Sequence, residues 1–350
     1  MDALFVGLGG VGQRHLRNLY SILGDRLNVS AYRERGLSHV LTDTLEIAPT
    51  LDLDKHYGIN VYDNLSEALA RKPDAVFICN PTSMHIPVAL EAAKKGCHLF
   101  IEKALSHSFD GVSELIDIIE SKKLTAMVAY QMRFHPCLKA LHDMMNSGAI
   151  GRILSMSAEV GEYMPNWHKY EDYRQMYASR KDLGGGVIIS QIHEFDYIQW
   201  LLGTPKRIFA MGGHLSSLEI DVEDTASISM EIHKDGNLIP VHLHQDYLQR
   251  PPTRTCKVIG DTGKVEVDFM ALTVTHYGHD GAIVALKDFS GFERNQLFLD
   301  EMSHFLACMA SGEKPCVTVR DGAQSLAMAL AAKESITTGR ILDFEGFNKK

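Results

Sequence analysis

At 350 residues, 45% of them hydrophobic and 23% charged, the chain sits near the length at which one large core gives way to two. Its 35 basic and 44 acidic side chains leave a formal charge of -9 without a long basic run, which argues against a nucleic-acid footprint and for a small-molecule ligand. Six cysteines without a CxxC pair suit a reduced cytoplasmic protein, and neither a signal peptide nor a membrane span of roughly 18 apolar residues is found.

Residues 3–124 alternate short apolar runs with segments of helical period. ALFV (3–6), NVSAY (28–32), INVY (59–62), DAVFIC (74–79) and HLFIE (98–102) read as strands, and the alternation predicts a parallel sheet. In the first helix Leu16, Leu19, Tyr20 and Leu23 fall on one face, leaving Arg17 outside. Asn64 with Glu67 predicts a capping box for the third helix.

The rhythm changes after Thr125, so the expected division is a dinucleotide-binding domain over 1–125 and an α+β domain over 126–350. A helix near 136–147, an irregular segment 162–183 and a helix 187–202 precede a series of strands. Ala226, Ile228, Met230 and Ile232 alternate onto one face, Asp235-Gly236 turns the chain, and Ile239, Val241 and Leu243 return; a second hairpin turns at Asp261-Thr262-Gly263. Helices near 294–311 and 321–338 close the chain, and the last one is free to pack back on the first domain. The predicted fold class is α/β: an N-terminal Rossmann domain followed by a C-terminal α+β domain on a large, mostly antiparallel sheet.

Within GLGGVG, Gly7 permits the tight turn after the strand, Gly9 lets the backbone approach a pyrophosphate, and Gly12 allows close helix packing. Gly10 and Val11 open the helix whose N-terminal amides and positive dipole face the phosphates. The loop follows a strand and opens a helix, the context that separates a dinucleotide site from an ordinary glycine turn. The second strand ends in Tyr32-Arg33-Glu34-Arg35, where Arg33 favours the 2'-phosphate of NADP(H) and Glu34 leaves NAD(H) open.

GLGGVGQRHLRNL, CNPTSMHIPVALEAAKKGCHLFIEKAL and LGGGVIISQIHEFDYIQWLLG together resemble the Gfo/Idh/MocA oxidoreductases. EVGEYMPNWHKYEDYR and HLHQDYLQRPPTR look most like members of bacterial nonulosonic acid and other surface-sugar pathways. The resemblance implies nicotinamide-dependent oxidation or reduction of a sugar, sugar acid or sugar nucleotide lying between the two domains. It carries the proton donor or acceptor onto His193, and sets Asn80, Pro81, Thr82 and His85 against the nicotinamide and its ribose. Asn-Pro-Thr is also simply good turn chemistry.

Hydride transfer needs a group that moves the hydroxyl proton, and His193 and Lys103 are the candidates. Lys103 ends a strand at the carboxyl edge of the parallel sheet, where such folds bind ligands, with Glu102 to orient it. The family usually has proline after this Glu-Lys pair, often cis; here Ala104 follows, and a cis bond before a non-proline residue costs roughly 2.5–4 kcal/mol. Ser190 replaces the aspartate that many relatives carry one helical turn before the histidine, supplying a hydrogen bond without charge.

Ser190 and Gln191 join His193 as candidate substrate contacts. Arg133 and His135 can meet a carboxylate or phosphate, or an interdomain salt bridge instead; Trp167, Tyr170 and Tyr173 suit a sugar ring or base, or anchor a loop. His242 and His244 share a strand face without a third ligand, so no metal is expected. A homodimer or homotetramer is expected through the open face of the C-terminal sheet. A glycosidase that retains NAD, and a cofactor-binding sensor or partner subunit, remain the alternatives to a dehydrogenase.

Overall fold

The computed structural model describes residues 1–33, 36, 38–168 and 170–347, organised by two large sheets. In the first half of the chain β1 (Asp2–Val6), α1 (Gly10–Leu23) and β2 (Asn28–Tyr32) precede a small hairpin of β3 (His39–Leu41) and β4 (Ile47–Asp52). There follow α2 (Leu53–Tyr57), β5 (Asn60–Tyr62), α3 (Leu65–Ala70), β6 (Ala75–Ile78), α4 (His85–Lys95), β7 (His98–Glu102), α5 (Val112–Lys122) and β8 (Ala126–Ala129). The six-stranded sheet is parallel in the order β5-β2-β1-β6-β7-β8.

All five strands read from the sequence form. The sixth, β8, lies just past residue 125 and pairs with β7, so the first sheet extends beyond the boundary drawn there. Its four residues AMVA are all buried and carry no alternation to mark them. Asn64 caps α3, its Oδ1 accepting from the amides of Ser66 and Glu67, but the return bond from the Glu67 side chain that would complete the expected capping box does not form. Arg17 is not outside: it is half-buried and donates to the Leu41 carbonyl at 2.7 Å, fastening the β3–β4 hairpin to α1.

The second half comprises α6 (Pro136–Asn146), β9 (Ile153–Gly161), a run of 3-10 turns, α7 (Val187–Ser190), α8 (His193–Leu202), β10 (Pro205–Gly213), β11 (Thr225–Lys234) and β12 (Asn237–Asp246). Next come β13 (Thr253–Gly260), β14 (Gly263–Asp268), β15 (Thr273–Gly278), β16 (Ile283–Asp288), α9 (Asn295–Ser311), α10 (Val319–Thr338) and β17 (Leu342–Asp343). The nine-stranded sheet runs β16-β15-β14-β13-β9-β12-β11-β10-β17, antiparallel except where β9 lies beside β12. The predicted inner face is buried throughout, from Ala226 to Ile232 and back through Ile239 to Leu243. The expected helix over 187–202 is broken at Gln191-Ile192, because the apolar period continues through a turn that the backbone does not.

The chain's end returns to its beginning through α9 as well as through the last helix, which packs on β8 and α5 as expected. Met302 and Phe305 of α9 pack with Leu16 and Leu19 of α1 on Phe5, Phe77 and Phe100 of the first sheet. α10 lies along β10 and touches β8 where Gly322 meets Val128. The opposite face of the first sheet continues through Val128 and Tyr130 into the core of the second sheet as one apolar cluster. Across this junction Arg133 forks onto Asp196 of α8, Nε to Oδ2 at 2.9 Å and Nη2 to Oδ1 at 2.7 Å, with the Asp196 side chain fully buried. Asp196→Ala strands a buried guanidinium and is expected to lower unfolding free energy by about 3–5 kcal/mol, read by denaturant titration.

Candidate active site

A cleft of about 730 Å³ opens between the carboxyl ends of the first sheet's strands and the inner edge of the second sheet. Its floor is the glycine loop. Gly7 has φ +91°, and a Cβ on Gly12 would stand 2.4 Å from the Gly7 carbonyl oxygen, so both positions require glycine. A methyl on Gly9 would meet no protein atom within 4 Å, which leaves the backbone bare at the start of α1. Amides and helix dipole at that point fit a dinucleotide diphosphate. Gly7, Gly9, Gly10, Val11, Asn80, Pro81 and Thr82 all line the cleft, while Gly12 lies behind it as the packing contact.

Lys103 and His193 enter the cleft from opposite sides. The Lys103 ammonium donates to the Ser190 carbonyl at 2.7 Å, joining the end of β7 to the turn between α7 and α8. Gln245 of β12 pins the same turn by donating to the Gln191 carbonyl at 2.6 Å, while the Gln191 amide donates to the Asp246 carbonyl at 3.1 Å. His193 opens α8 with Nδ1 buried and unpartnered, and its Nε2 is the ring nitrogen that meets the cleft. Burial, then the charges of Lys103, Arg254 and Arg294, hold its pKa well below the ordinary imidazole range.

Glu102 is engaged from behind, 2.6 Å from His15 Nε2, and its other oxygen accepts from the Lys103 amide. Burial would raise this carboxyl, but the hydrogen bond and charge of His15, with Lys103 and His85, hold it below its usual value. The Lys103-Ala104 peptide is cis. His85 does not line the cleft: its two ring nitrogens each lie 2.8 Å from a carbonyl oxygen, those of Ala104 and Asn80, so it props both cofactor-side turns from beneath.

At the far end of the cleft Arg33 meets Asp54 of α2, Nη2 to Oδ2 at 2.5 Å, with only 8% of the arginine side chain exposed. Glu34 and Arg35 lie outside the described residues. Tyr170 reaches over the glycine loop, its hydroxyl 2.7 Å from where a Gly10 Cβ would be, and packs near the His39 ring. This places it at the cofactor end rather than the substrate end.

Three sequence-derived substrate contacts face elsewhere. Arg133 is occupied by Asp196 and by the Cys316 carbonyl, the salt-bridge alternative. His135 caps α6 and packs on Phe269 and Phe292, with burial and Arg254 pushing its pKa down to about 4. Tyr173 accepts from the Glu219 amide and anchors the irregular segment. Trp167, Ser190 and Gln191 do line the cleft.

The sequence reading missed Arg14, Gln131, Arg180, Arg254, Arg294 and Phe298, which reach the cleft from five different segments. Arg254 of β13 donates Nε to Glu194 Oε1 at 2.8 Å, beside His193. Among the described residues no group of three or more metal-ligating side chains assembles, and no helix is long and apolar enough to cross a membrane. His244 instead bonds Ser227 and Asp246.

Residues 1–130 match the description "Oxidoreductase family, NAD-binding Rossmann fold", and residues 138–266 match "GFO/IDH/MocA C-terminal domain". The chain is 26% identical over 351 residues to a myo-inositol 2-dehydrogenase of Thermotoga maritima, covering 97% of each. The structure of a myo-inositol 2-dehydrogenase from Lactobacillus plantarum shares its fold at a TM-score of 0.78 and 24% identity, covering 99% of each chain. So does the WlbA dehydrogenase of Bordetella pertussis in complex with NADH and UDP-GlcNAcA, at 0.78 and 20% identity over 98% of each. Two family matches that together span most of the chain, on a glycine-loop domain joined to a nine-stranded sheet, place this protein in the Gfo/Idh/MocA oxidoreductase family.

Proposed function

We propose that the protein is an NAD(P)-dependent dehydrogenase or reductase that moves hydride between nicotinamide and a carbinol or keto carbon of a sugar derivative. The observation that carries this reading is the meeting of Lys103 and His193 in a cleft floored by the glycine loop. The Thermotoga relative is named for inositol oxidation, and the Bordetella structure contains NADH with an amino-sugar acid nucleotide, so polyhydroxylated substrates suit this site. Membership of a surface-sugar pathway belongs to the same proposal and rests on the segments beginning at Glu159 and His242.

The bound nicotinamide supplies the hydride acceptor or donor. In the oxidation direction, His193 with its proton on Nδ1 presents the Nε2 lone pair to the substrate hydroxyl and takes its proton as the C–H hydride leaves. Lys103, anchored by the Ser190 carbonyl, donates a hydrogen bond to the same oxygen and steadies the alkoxide character that develops there. Ser190 acts through its main chain, and no carboxylate is among the charges that set the histidine. A base with its pKa held low stays neutral and competent at neutral pH without such a partner.

The cofactor end favours NAD(H) over the NADP(H) preference read from Arg33. A 2'-phosphate would have to separate Arg33 from Asp54 and accept the carboxylate as a neighbour. The open face of the large sheet is left uncovered by helices, and Met211, Leu238, Ile259 and Leu286 stand exposed among polar residues there, so we assign self-association to this face.

His193→Asn is expected to lower kcat by about 100- to 10,000-fold with NADH affinity within a factor of two of wild type, and Lys103→Met to lower kcat in the same direction. The acid limb of kcat/KM for oxidation should fall below pH ~6.5, because protonation of His193 removes the base and its pKa is depressed; a limb above that value contradicts the assignment. Michaelis constants should favour NADH over NADPH, and Asp54→Asn should move the ratio toward NADPH by about tenfold, the size of one ~1.4 kcal/mol contact. Sedimentation should return a multiple of the 39.0 kDa chain mass.

A further inference from the structure

We propose that Arg14 and Arg294 form an anion seat on the cleft wall that receives a carboxylate or phosphoryl group, so that the sugar derivative turned over carries a negative charge. The inference rests on the dehydrogenase reading for what the cleft holds.

The two guanidinium groups come from opposite ends of the chain and are brought together by the packing of α1 on α9. Asn18 and Asn295 exchange an amide hydrogen bond of 2.9 Å at that contact. Arg14 stacks over Phe298, its guanidinium carbon 4.7 Å from the ring centroid, and Phe298 stands one helical turn beyond Arg294. All three line the cleft. Burial, then the nearby charges of Arg294 and Arg17, push the Arg14 pKa down to about 10, against the weaker pull of Asp43 and Glu102.

Among the described residues neither arginine of the pair is ion-paired to a carboxylate. Each of the other cleft arginines has one: Arg254 has Glu194, Arg180 has Asp182, and Arg33 has Asp54. Arg14 makes one long contact, 3.5 Å to the Asp43 carbonyl, and Arg294 has no hydrogen-bond or ion-pair partner among the described residues. Glu102 is already taken by His15, and Asp43, whose charge acts more strongly on Arg14, is exposed and offers it only that carbonyl. A partly buried guanidinium beside a second, exposed one is unfavourable alone and favourable around an anion, whose oxygens match the guanidinium fork.

Arg294 favours the substrate over the cofactor as the source of that anion. Arg294 is among the charges that act on His193 as well as on Arg14, while Arg14 stands one helical turn beyond Gly10 on α1, so the seat lies between the glycine loop and the group assigned to the proton. The seat therefore fixes the substrate by a charge near the reacting carbon.

The test titrates NADH-saturated protein calorimetrically with D-glucuronate, D-glucose 6-phosphate and D-glucose, using wild type and Arg294→Met. Arg294 is exposed and unpartnered, so its replacement does not endanger folding. The expected result is that at least one anion binds about tenfold or more tighter than glucose, and that Arg294→Met removes most of this preference while the NADH dissociation constant stays within twofold. Equal binding of glucose, no binding of either anion at millimolar concentration, or a preference untouched by the substitution overturns the seat. A loss of NADH affinity with the anion preference intact assigns the pair to the cofactor diphosphate and also overturns it. An Arg294-dependent preference without hydride transfer to or from any acid tried upholds the seat and rejects the dehydrogenase reading; turnover of sugars with no preference for the anions in either protein does the reverse.

Discussion

The hydrogen bond from the Lys103 ammonium to the Ser190 carbonyl holds the site together. Lys103 is delivered by the last residues of a parallel strand, and Ser190 by a short helix that stops one turn before His193. Their junction determines where the proton-handling groups stand relative to the glycine loop, and Glu102 of the same strand ties it to α1 through His15. The rest of the local structure reinforces this contact. Gln245 holds the α7–α8 break from the sheet side, and His85 supports the Ala104 and Asn80 carbonyls from below. The break itself matters: a continuous helix from 187 to 202 would carry His193 on an interior turn instead of presenting it at a helix start.

The charge balance follows from the same arrangement. His193 is buried among Lys103, Arg254 and Arg294, so its neutral form dominates without help from a neighbouring acid. This gives a physical account of serine at position 190. An aspartate there would raise the basicity of the histidine and compete for the Lys103 ammonium, whereas a main-chain carbonyl orients that ammonium and leaves its charge in play. Glu194 limits the cationic excess by taking Arg254, and Glu102 is shared between His15 and the Lys103 amide.

Much of this was legible in the sequence because the features are local. The strand before GLGGVG, the lysine at a strand end and the alternation of residues 226 to 243 each depend on near neighbours along the chain, and each lies where expected. What failed was partner choice over long separations. Arg133 and Asp196 stand 63 residues apart, and Arg33 and Asp54 stand 21 apart; nothing in a single sequence says that these arginines already have carboxylates. The β3–β4 hairpin escaped notice because only Val40 and Leu41 of its strands are buried, which leaves no periodic signal. Arg14, Arg254 and Arg294 escaped for the opposite reason: each is an ordinary surface-type residue until the fold turns it into a wall.

That wall shows why the two halves of the chain cannot be treated as independent modules. α9 follows the nine-stranded sheet in sequence but buries Met302 and Phe305 on the first sheet, where they complete its apolar face beside α1. The same helix presents Phe298 and, at its start, Arg294 to the cleft. Its apolar face stabilises the cofactor domain while its first turn shapes the substrate end, so the packing that holds α9 in place also fixes the charge facing His193. With the apolar core running unbroken from the other face of the first sheet into the second, the cleft is a seam in one folding unit, and its geometry is set by the core on both sides. A substitution in that core at the α1–α9 contact therefore acts on specificity through the orientation of two arginines, even though it touches neither cofactor nor substrate.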